Sequence, residues 1–253
     1  MEVIKLKTIL GISAGRKNKV TESVVEAVLT GAKEYSSADI DYELISLSGK
    51  LIRPCEACNG CVNTNKCILK DDFPWIMDKM IEADAIVFGA PTYWNHMNAK
   101  GQAFWERACF LSRHNAVFLL KDKPGGIVAI DGKGTDNYVI RDLKEYYQDA
   151  RIKYTGSVTA QGEYACFTCG YGSFCSVGGF AELYPLGTEI TDDLKPSANN
   201  QHPETTFNKE WKTQSDKNCK KDNNKRIQDK SRTIIPEAKQ LGAKITKMCW
   251  DHH

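Results

Sequence analysis

Short apolar runs alternate along the chain with amphipathic stretches, and this pattern predicts an α/β protein. Between the runs, apolar residues such as Val24, Val25 and Val28 recur at helical spacing, which indicates helices with one buried face. Ala85–Gly89 is uniformly apolar, as expected for a strand buried on both faces of a parallel sheet. The predicted strands are Lys5–Ile12, Ile40–Leu47, Ala85–Gly89, Gly126–Ile130 and Ile152–Val158. Strands that alternate with helices favour a doubly wound, five-stranded parallel sheet of order 2-1-3-4-5.

The character of the chain changes after residue 160. Residues 161–179 are rich in Cys and Gly, and residues 192–232 contain few large apolar side chains. Residues 233–250 return to helical spacing, so this last helix is expected to pack on the sheet. We therefore expect one domain over residues 1–253, with its core in 1–160 and 233–250 and a Cys-rich, polar insertion over 161–232.

Composition and charge argue against a nucleic-acid-binding protein and against a membrane protein. Hydrophobic residues make up 42% of the chain, and 34 Lys+Arg against 32 Asp+Glu give a formal net charge of +2. This balance makes nucleic acid an unlikely partner, because dedicated nucleic-acid binders carry a strong positive field. The apolar runs are too short to cross a bilayer, so no membrane partner is expected. No secretory signal is visible, and a cytoplasmic location is the default expectation.

The loop between the first strand and the first helix suits a phosphate group. Backbone N–H groups at the start of a helix point at such a ligand, and the helix dipole favours its negative charge. The sequence is neither a Walker loop nor a G-x-G-x-x-G dinucleotide signature. Thr21 is expected to cap the helix. The candidate phosphate-binding residues are Ser13, Ala14, Gly15, Arg16, Asn18, Val20 and Thr21.

Two further loops are expected at the same edge of the sheet. The loop after the third strand offers aromatic rings and amides, which suit a flat ring, although Tyr93 and Trp94 are equally compatible with a core role. The loop after the fourth strand contains glycines that allow the backbone to approach a ligand closely. The candidate residues are Pro91, Thr92, Tyr93, Trp94, Asn95 and Met97 in one loop and Asp131, Gly132 and Gly134 in the other.

Ten cysteines are unusual for a protein expected to remain reduced, and seven of them form two dense groups. Cys55, Cys58, Cys61 and Cys67 place three thiols at successive x2 intervals and a fourth close behind. This spacing favours the four corners of a 4Fe–4S cluster over a single zinc ion, which usually takes two separate Cys-x2-Cys pairs. A structural zinc and plain reduced thiols are the open alternatives.

The second group, Cys166, Cys169 and Cys175, has one thiolate fewer than a complete four-cysteine site. It is a candidate second metal centre if another cysteine, such as Cys219, or a neighbouring subunit completes it. The alternatives are free thiols or a zinc-stapled loop. Further along, residues 209–232 carry nine Lys/Arg and four Asp/Glu, which indicates a solvated face or a surface that attracts an acidic electron carrier.

Two of these loops carry a family resemblance. Ser13–Thr21 resembles the G-S-P-R-x-x-S-N-T phosphate loop of the NADPH-dependent FMN reductase and iron–sulfur flavoprotein superfamily, although Ala14, Gly15 and Val20 replace its serine, proline and asparagine. Ala90–Trp94, followed by Met97, Lys100 and Arg107, resembles the second flavin loop and the helix after it. The four-cysteine pattern is similar to that of the iron–sulfur flavoproteins of anaerobic archaea and bacteria. The resemblance spans about residues 5–158 and the last helix.

The resemblance implies a flavodoxin-like fold and an electron-transfer flavoprotein that holds FMN beside a 4Fe–4S cluster ligated by Cys55, Cys58, Cys61 and Cys67. It implies a flavin-dependent oxidoreductase that takes electrons from a ferredoxin-like carrier or NAD(P)H and passes them to a small acceptor. A homodimer or homotetramer is also implied. No side chain is predicted as an acid–base catalyst. The alternatives are an NAD(P)H-dependent FMN or quinone reductase without a cluster, and a zinc-stabilised binding module.

Overall fold

The computed structural model describes residues 6–36, 40–132, 134, 138–201 and 233–250. Within these residues the strands are β1 Lys7–Ser13, β2 Ile40–Ser46, β3 Ala85–Tyr93, β4 His96–Met97, β5 Pro124–Asp131 and β6 Lys153–Gln161. The α-helices are α1 Val20–Tyr35, α2 Phe73–Glu82, α3 Ala99–Arg113, α4 Tyr138–Ala150, α5 Gly179–Leu183 and α6 Ile235–Trp250. None of these helices is both long and apolar enough to span a membrane.

The sheet confirms the predicted topology. Its strands lie in the order β2-β1-β3-β5-β6, and every neighbouring pair on this path is parallel. The two-residue strand β4 pairs antiparallel with the end of β3 and lies off this path. When β4 is set aside, the order is 2-1-3-4-5, which is that of a flavodoxin-like fold.

Both faces of the sheet are covered by helices. Ile86 and Phe88 of β3 face a core built with α2, α3 and α4, whereas Ala85 and Val87 face the opposite core with α1 and α6. This burial on both sides explains why the centre of β3 contains only apolar residues and a glycine. The last helix α6 packs on the sheet and on α1, as its helical spacing predicted.

Helices α1 and α6 approach each other through glycines. A Cβ atom added at Gly31 would lie 2.3 Å from Cα of Lys239, and one added at Gly242 would lie 2.0 Å from the carbonyl oxygen of Val28. Real Cβ atoms do not approach other heavy atoms this closely, so the two helices pack backbone against backbone at this point. The contact places the C-terminal helix firmly against the helix that begins at the candidate phosphate loop.

Two local predictions differ from the structure. Helix α1 begins at Val20 with Lys19 in the N-cap position, so the prediction that Thr21 caps the helix was wrong. Thr21 is instead buried in the first turn of the helix, where its side chain packs against Gly15. The predicted loop after the third strand is a hairpin, because β3 continues to Tyr93 and pairs with β4.

The described part of the insertion, residues 161–201, is folded. It contains 3-10 turns at Ala165–Phe167 and Gly172–Phe174, followed by α5. The rings of Phe167, Phe180 and Tyr184 form a small aromatic cluster, with centroids of Phe180 and Tyr184 4.8 Å apart. The remaining insertion residues 202–232, with Cys219 and the basic run, lie outside the described residues.

Candidate functional site

The three predicted loops meet at the carboxyl edge of the sheet. The first and second are joined directly, because the N–H of Ala14 donates to the carbonyl oxygen of Gly89 at 2.8 Å. The side-chain amide of Asn98 also donates to the carbonyl oxygen of Ala14 at 2.9 Å. The third loop is joined to the insertion, since the N–H of Gly162 donates to the carbonyl oxygen of Asp131 at 2.6 Å. This is where ligands of open α/β sheets bind.

The first loop has the local geometry of an anion site. Gly15 has no room for a side chain, because an added Cβ would lie 2.5 Å from Thr21. Asn18 adopts a left-handed backbone conformation with φ of 56°. Helix α1 then begins without a side-chain cap hydrogen bond, so no capping side chain competes for the N–H groups of its first turn. These features fit the phosphate of a flavin mononucleotide, held mainly by backbone donors.

Two cations of this loop contact a buried carboxylate that the sequence did not reveal. Lys19 Nζ lies 2.9 Å from Glu163 Oε2, and Arg16 donates to the Glu163 carboxylate at 3.4 Å and to its carbonyl oxygen at 2.8 Å. The Glu163 side chain is only 3% exposed, and its Oε1 atom has no hydrogen-bond partner among the described residues. The insertion therefore places a negative charge beside the phosphate loop.

The second loop is a tight hairpin with an aromatic tip. Trp94 and Asn95 have φ values of 52° and 64°, the left-handed pair that a two-residue hairpin turn requires. Trp94 is 96% exposed and Tyr93 is half-exposed, whereas Met97 is buried. The base is fixed because the N–H of Met97 donates to Asp142 Oδ2 at 2.8 Å. The aromatic residues are thus presented at the rim of the site.

Asn98, which directly follows this hairpin, is a second residue that the sequence interpretation missed. It is buried, holds the N-cap position of α3 and ties the first loop to the second. Its Oδ1 atom is buried without a hydrogen-bond partner among the described residues. Its position before an amphipathic helix was the one available signal. An orphaned acceptor between two candidate flavin loops fits a donor supplied by a ligand.

The third loop is covered by the insertion. The ring of Tyr164 lies over Gly132, where an added Cβ would lie 1.8 Å from Cζ, and the Gln161 side chain donates to the carbonyl oxygen of Gly132 at 3.0 Å. Gly134 has a φ of 72°, which favours glycine. Burial raises the pKa of Tyr164, so its phenol stays protonated. Asp131 and these glycines remain candidate flavin contacts.

The structure brings the four predicted cluster cysteines together. Cys55, Cys58, Cys61 and Cys67 all line one pocket. Burial raises the pKa of the Cys61 thiol, and the proximity of the other three thiols raises it further. The loop that carries them turns sharply through left-handed residues at Ala57, Asn59 and Asn65.

The donor set of this pocket matches a 4Fe–4S cluster in the number of its thiols. Within the described residues, no three Cys, His, Asp or Glu side chains are placed to hold one metal ion. Single-ion zinc sites need four ligands at one centre, whereas a 4Fe–4S cluster takes each thiolate at a different corner. Four cysteines around one pocket match a cluster in number, and the cluster itself stays a prediction.

Arg107 of α3 lines the same pocket as the four cysteines. Its Nη2 atom donates to Cys67 Sγ at 3.1 Å and to Asp71 Oδ1 at 3.0 Å, and its Nη1 atom donates to the carbonyl oxygen of Arg53 at 3.1 Å. Burial alone would raise the pKa of Asp71, but the hydrogen bond and charge of Arg107 hold it below its ordinary value. Burial likewise opposes the charge of Arg107, yet its contacts with Asp71 and Cys67 raise its pKa.

The second cysteine group lies beside the third loop. The thiols of Cys166 and Cys175 both face Gly178, where an added Cβ would lie 3.0 and 3.3 Å from their sulfur atoms. Cys169 Sγ accepts the N–H of Tyr171 at 3.4 Å. The neighbouring Gly179 packs against the Tyr164 ring that covers Gly132. The described residues supply three thiols here, and a second metal centre stays a prediction.

Comparisons with known proteins show the family and the fold of the chain. The sequence profile of the NADPH-dependent FMN reductase family matches residues 8–147, just over half of the chain. An iron–sulfur flavoprotein of Methanocaldococcus jannaschii is 36% identical over 143 residues, 55% of this chain and 70% of that protein. One of Methanosarcina thermophila is 34% identical over 125 residues, 49% of this chain and 63% of that protein. An oxidoreductase structure from Corynebacterium diphtheriae has a TM-score of 0.50 at 12% identity, covers 98% of this chain and 99% of its own, and shows the fold.

The fold and the profile together define a protein of the NADPH-dependent FMN reductase type. The chain belongs to the iron–sulfur flavoprotein family within the NADPH-dependent FMN reductase superfamily. The family match supports FMN as the cofactor. The aligned region spans 63% of the Methanosarcina thermophila protein and 70% of the Methanocaldococcus jannaschii protein.

Proposed function

We propose that this protein is an FMN- and 4Fe–4S-containing electron-transfer flavoprotein that passes electrons from a ferredoxin-like carrier or NAD(P)H to a small acceptor. The observation that carries the proposal is the single pocket lined by Cys55, Cys58, Cys61 and Cys67 in a chain with three converging flavin-type loops. FMN exchanges one or two electrons and the cluster exchanges one, so together they connect two-electron donors with one-electron carriers.

The flavin side of the site is built from backbone groups. The Gly15 region and the uncapped start of α1 supply N–H donors to the phosphate, and Asn98 Oδ1 accepts a hydrogen bond from the cofactor. Tyr93 and Trp94 form the aromatic wall for the ring. Asp131, Gly132 and Gly134 of the third loop are the candidate contacts on the other side, beside the Tyr164 ring that covers Gly132. We expect the N–H groups at the start of α1 to take the place of the side-chain donors that Ala14 and Val20 lack.

On the cluster side, the four thiolates ligate iron and the protein controls their surroundings. The loop turns at Asn59 and Asn65 point successive cysteines into the same pocket. The Asn65 side chain donates to the carbonyl oxygen of Leu111 at 2.7 Å, which fixes this loop to the end of α3. A fixed loop keeps the thiolates in place while electrons enter and leave.

The partners and the assembly belong to the same proposal. The exposed aromatic tip at Trp94 lies at the flavin rim, where a flat electron donor or acceptor can approach. A homodimer or homotetramer follows from the family resemblance. The chemistry needs no acid–base side chain, because the cofactors accept the electrons.

An anaerobic metal and flavin analysis tests this function. The purified protein should contain one FMN with four irons and four acid-labile sulfides per chain. Cys61→Ser should lose iron and sulfide but retain FMN, because Cys61 lies in the cluster pocket and not at the flavin loops. Cys249→Ser is the control, since this free thiol of α6 lies outside both cysteine groups, and it should retain the cluster.

Two results would contradict the proposed function and favour one of the alternatives. FMN without iron or sulfide in the wild-type protein would contradict the cluster and favour an NAD(P)H-dependent FMN or quinone reductase. A colourless protein with stoichiometric zinc would contradict both and favour the zinc-stabilised binding module.

A further inference from the structure

Arg107 is a buried cation in direct contact with a cluster cysteine. The residue is 2% exposed, and its Nη2 atom lies 3.1 Å from Cys67 Sγ. Arg53, a half-exposed arginine of the cysteine loop, pairs with Glu56 instead. Arg107 therefore differs from this surface cation, because it is buried and donates a hydrogen bond to a cysteine of the pocket.

The guanidinium is held rigidly by its other contacts. Asp71 accepts from it through both carboxylate oxygens, and the side chains of this pair are 1% and 0% exposed. The carbonyl oxygen of Arg53 accepts a third hydrogen bond, and the Phe73 ring lies 4.1 Å from the guanidinium carbon. The charge is fixed between α3 and the segment that leads from the cysteine loop into α2.

A fixed positive charge beside a thiolate ligand affects the energy of electron transfer. Reduction adds one negative charge to the cluster, and a nearby cation stabilises that added charge. The effect is strong here because burial removes the water that would screen it. A hydrogen bond to the ligating sulfur acts in the same direction. Asp71 carries the opposite charge and must therefore offset part of the effect of Arg107.

We propose that Arg107 sets the reduction potential of the iron–sulfur cluster through its hydrogen bond to Cys67, and that Asp71 limits this effect. Arg107 raises the potential, because it favours the more negative, reduced cluster. Asp71 lowers the potential while it holds the guanidinium in position. Arg107 is thus a positioning residue that acts through Cys67, and no bond is formed or broken. The inference rests on the proposed function.

Potentiometric titration followed by EPR tests this role on the anaerobic holoprotein, with dithionite as the reductant. Arg107→Gln should lower the midpoint potential, and Asp71→Asn should raise it, because each substitution removes one of two opposite charges. A tenfold change in the reduction equilibrium is the expected size, about 59 mV for a one-electron couple. Arg107→Lys keeps the charge and should stay close to wild type.

Potential shifts of opposite sign distinguish an electrostatic effect on the cluster from a purely structural role of the Arg107–Asp71 pair. If the pair only supported the loop, Arg107→Gln and Asp71→Asn would disturb it alike, and their potentials would shift in the same direction or not at all. Either result overturns the proposal. Arg53→Gln is the matched control, because this half-exposed side chain carries the same charge, lies in the cysteine loop and pairs with Glu56. Its potential should change little, since solvent screens it.

Folding and cluster content are measured first for each variant. If Arg107→Gln does not fold, Arg107→Lys and Asp71→Asn still decide the question, and a failure of Asp71→Asn to raise the potential overturns the inference. Wild-type protein without iron and sulfide would contradict the proposed function, and the inference with it. A wild-type cluster whose potential is insensitive to Arg107 and Asp71 contradicts the inference alone.

Discussion

At the scale of single residues, Asp71 illustrates how one side chain serves both stability and the candidate site. Its carboxylate is fully buried, and it accepts hydrogen bonds from Arg107 and from the N–H groups of Arg53 and Phe73. These donors join the cysteine loop, α2 and α3 at one point. A buried charge with this many partners is strongly destabilising to remove, because its partner cation is then left unpaired.

We expect the stabilisation by Asp71 to depend on pH. The pKa of Asp71 is lowered in the folded protein, so its contribution to stability is present above the ordinary aspartate pKa of about 4 and is lost as the pH falls through the folded value. At neutral pH, Asp71→Asn should lower the free energy of unfolding by about 3 kcal/mol. Urea denaturation at a series of pH values should show this difference shrinking below about pH 4.

Asp41→Asn is the control for this measurement, because Asp41 is an exposed carboxylate on the edge strand β2. Its substitution should change stability by less than about 0.5 kcal/mol at any pH. A difference between wild type and Asp71→Asn that stays constant from pH 7 to pH 3 would show that the Asp71 charge does not stabilise the fold.

At the scale of elements, the contact between α1 and α6 links the C-terminal helix to the candidate phosphate loop. Gly242 lies against the backbone of α1 near Val28, so Gly242→Ala would insert a methyl group where no space exists. Overpacking of this kind costs about 1–3 kcal/mol, and the rigid backbone neighbour places the expected loss near 3 kcal/mol. Chemical denaturation measures it. Lys244→Ala, on the exposed face of α6, should change stability by less than about 0.5 kcal/mol. A free energy of unfolding that Gly242→Ala leaves unchanged would contradict the close approach of α1 and α6.

The elements were also what the sequence predicted best. The doubly wound class followed from the alternation of apolar runs and helical spacing, because these periods report burial directly. The strand order was taken from the common orders of that class. Hairpin β3–β4 was not predicted, since its left-handed turn falls on Trp94 and Asn95 and not on glycine. Asn98 and Glu163 were missed because their roles depend on tertiary contacts across 84 and 147 residues. The grouping of the four cysteines was predicted, since their spacing within one loop is visible in sequence, and their role as ligands stays a prediction.

At the scale of the whole molecule, the insertion and the flavodoxin-like core share contacts at the site. Glu163 is buried against Arg16 and Lys19, and Tyr164 covers Gly132. At the far end of the described insertion, the Gln201 side chain pairs with both backbone groups of Gln161 at the end of β6. These contacts predict that residues 161–201 unfold together with the core and not as a separate arm. The single-domain organisation stays a prediction.

Hydrogen exchange with and without FMN tests whether the insertion unfolds together with the core. FMN at about 100 times its dissociation constant should raise the free energy of unfolding by about 2.7 kcal/mol, which slows hydrogen exchange through global unfolding about 100-fold. If the molecule is one cooperative unit, the slowest amides of β3 and of residues 161–184 should slow equally. Riboflavin at the same concentration lacks the phosphate and should slow both less. Slowing in β3 without slowing in 161–184 would identify the insertion as an independently unfolding arm, and its contacts at Glu163 and Tyr164 would then not couple it to the site.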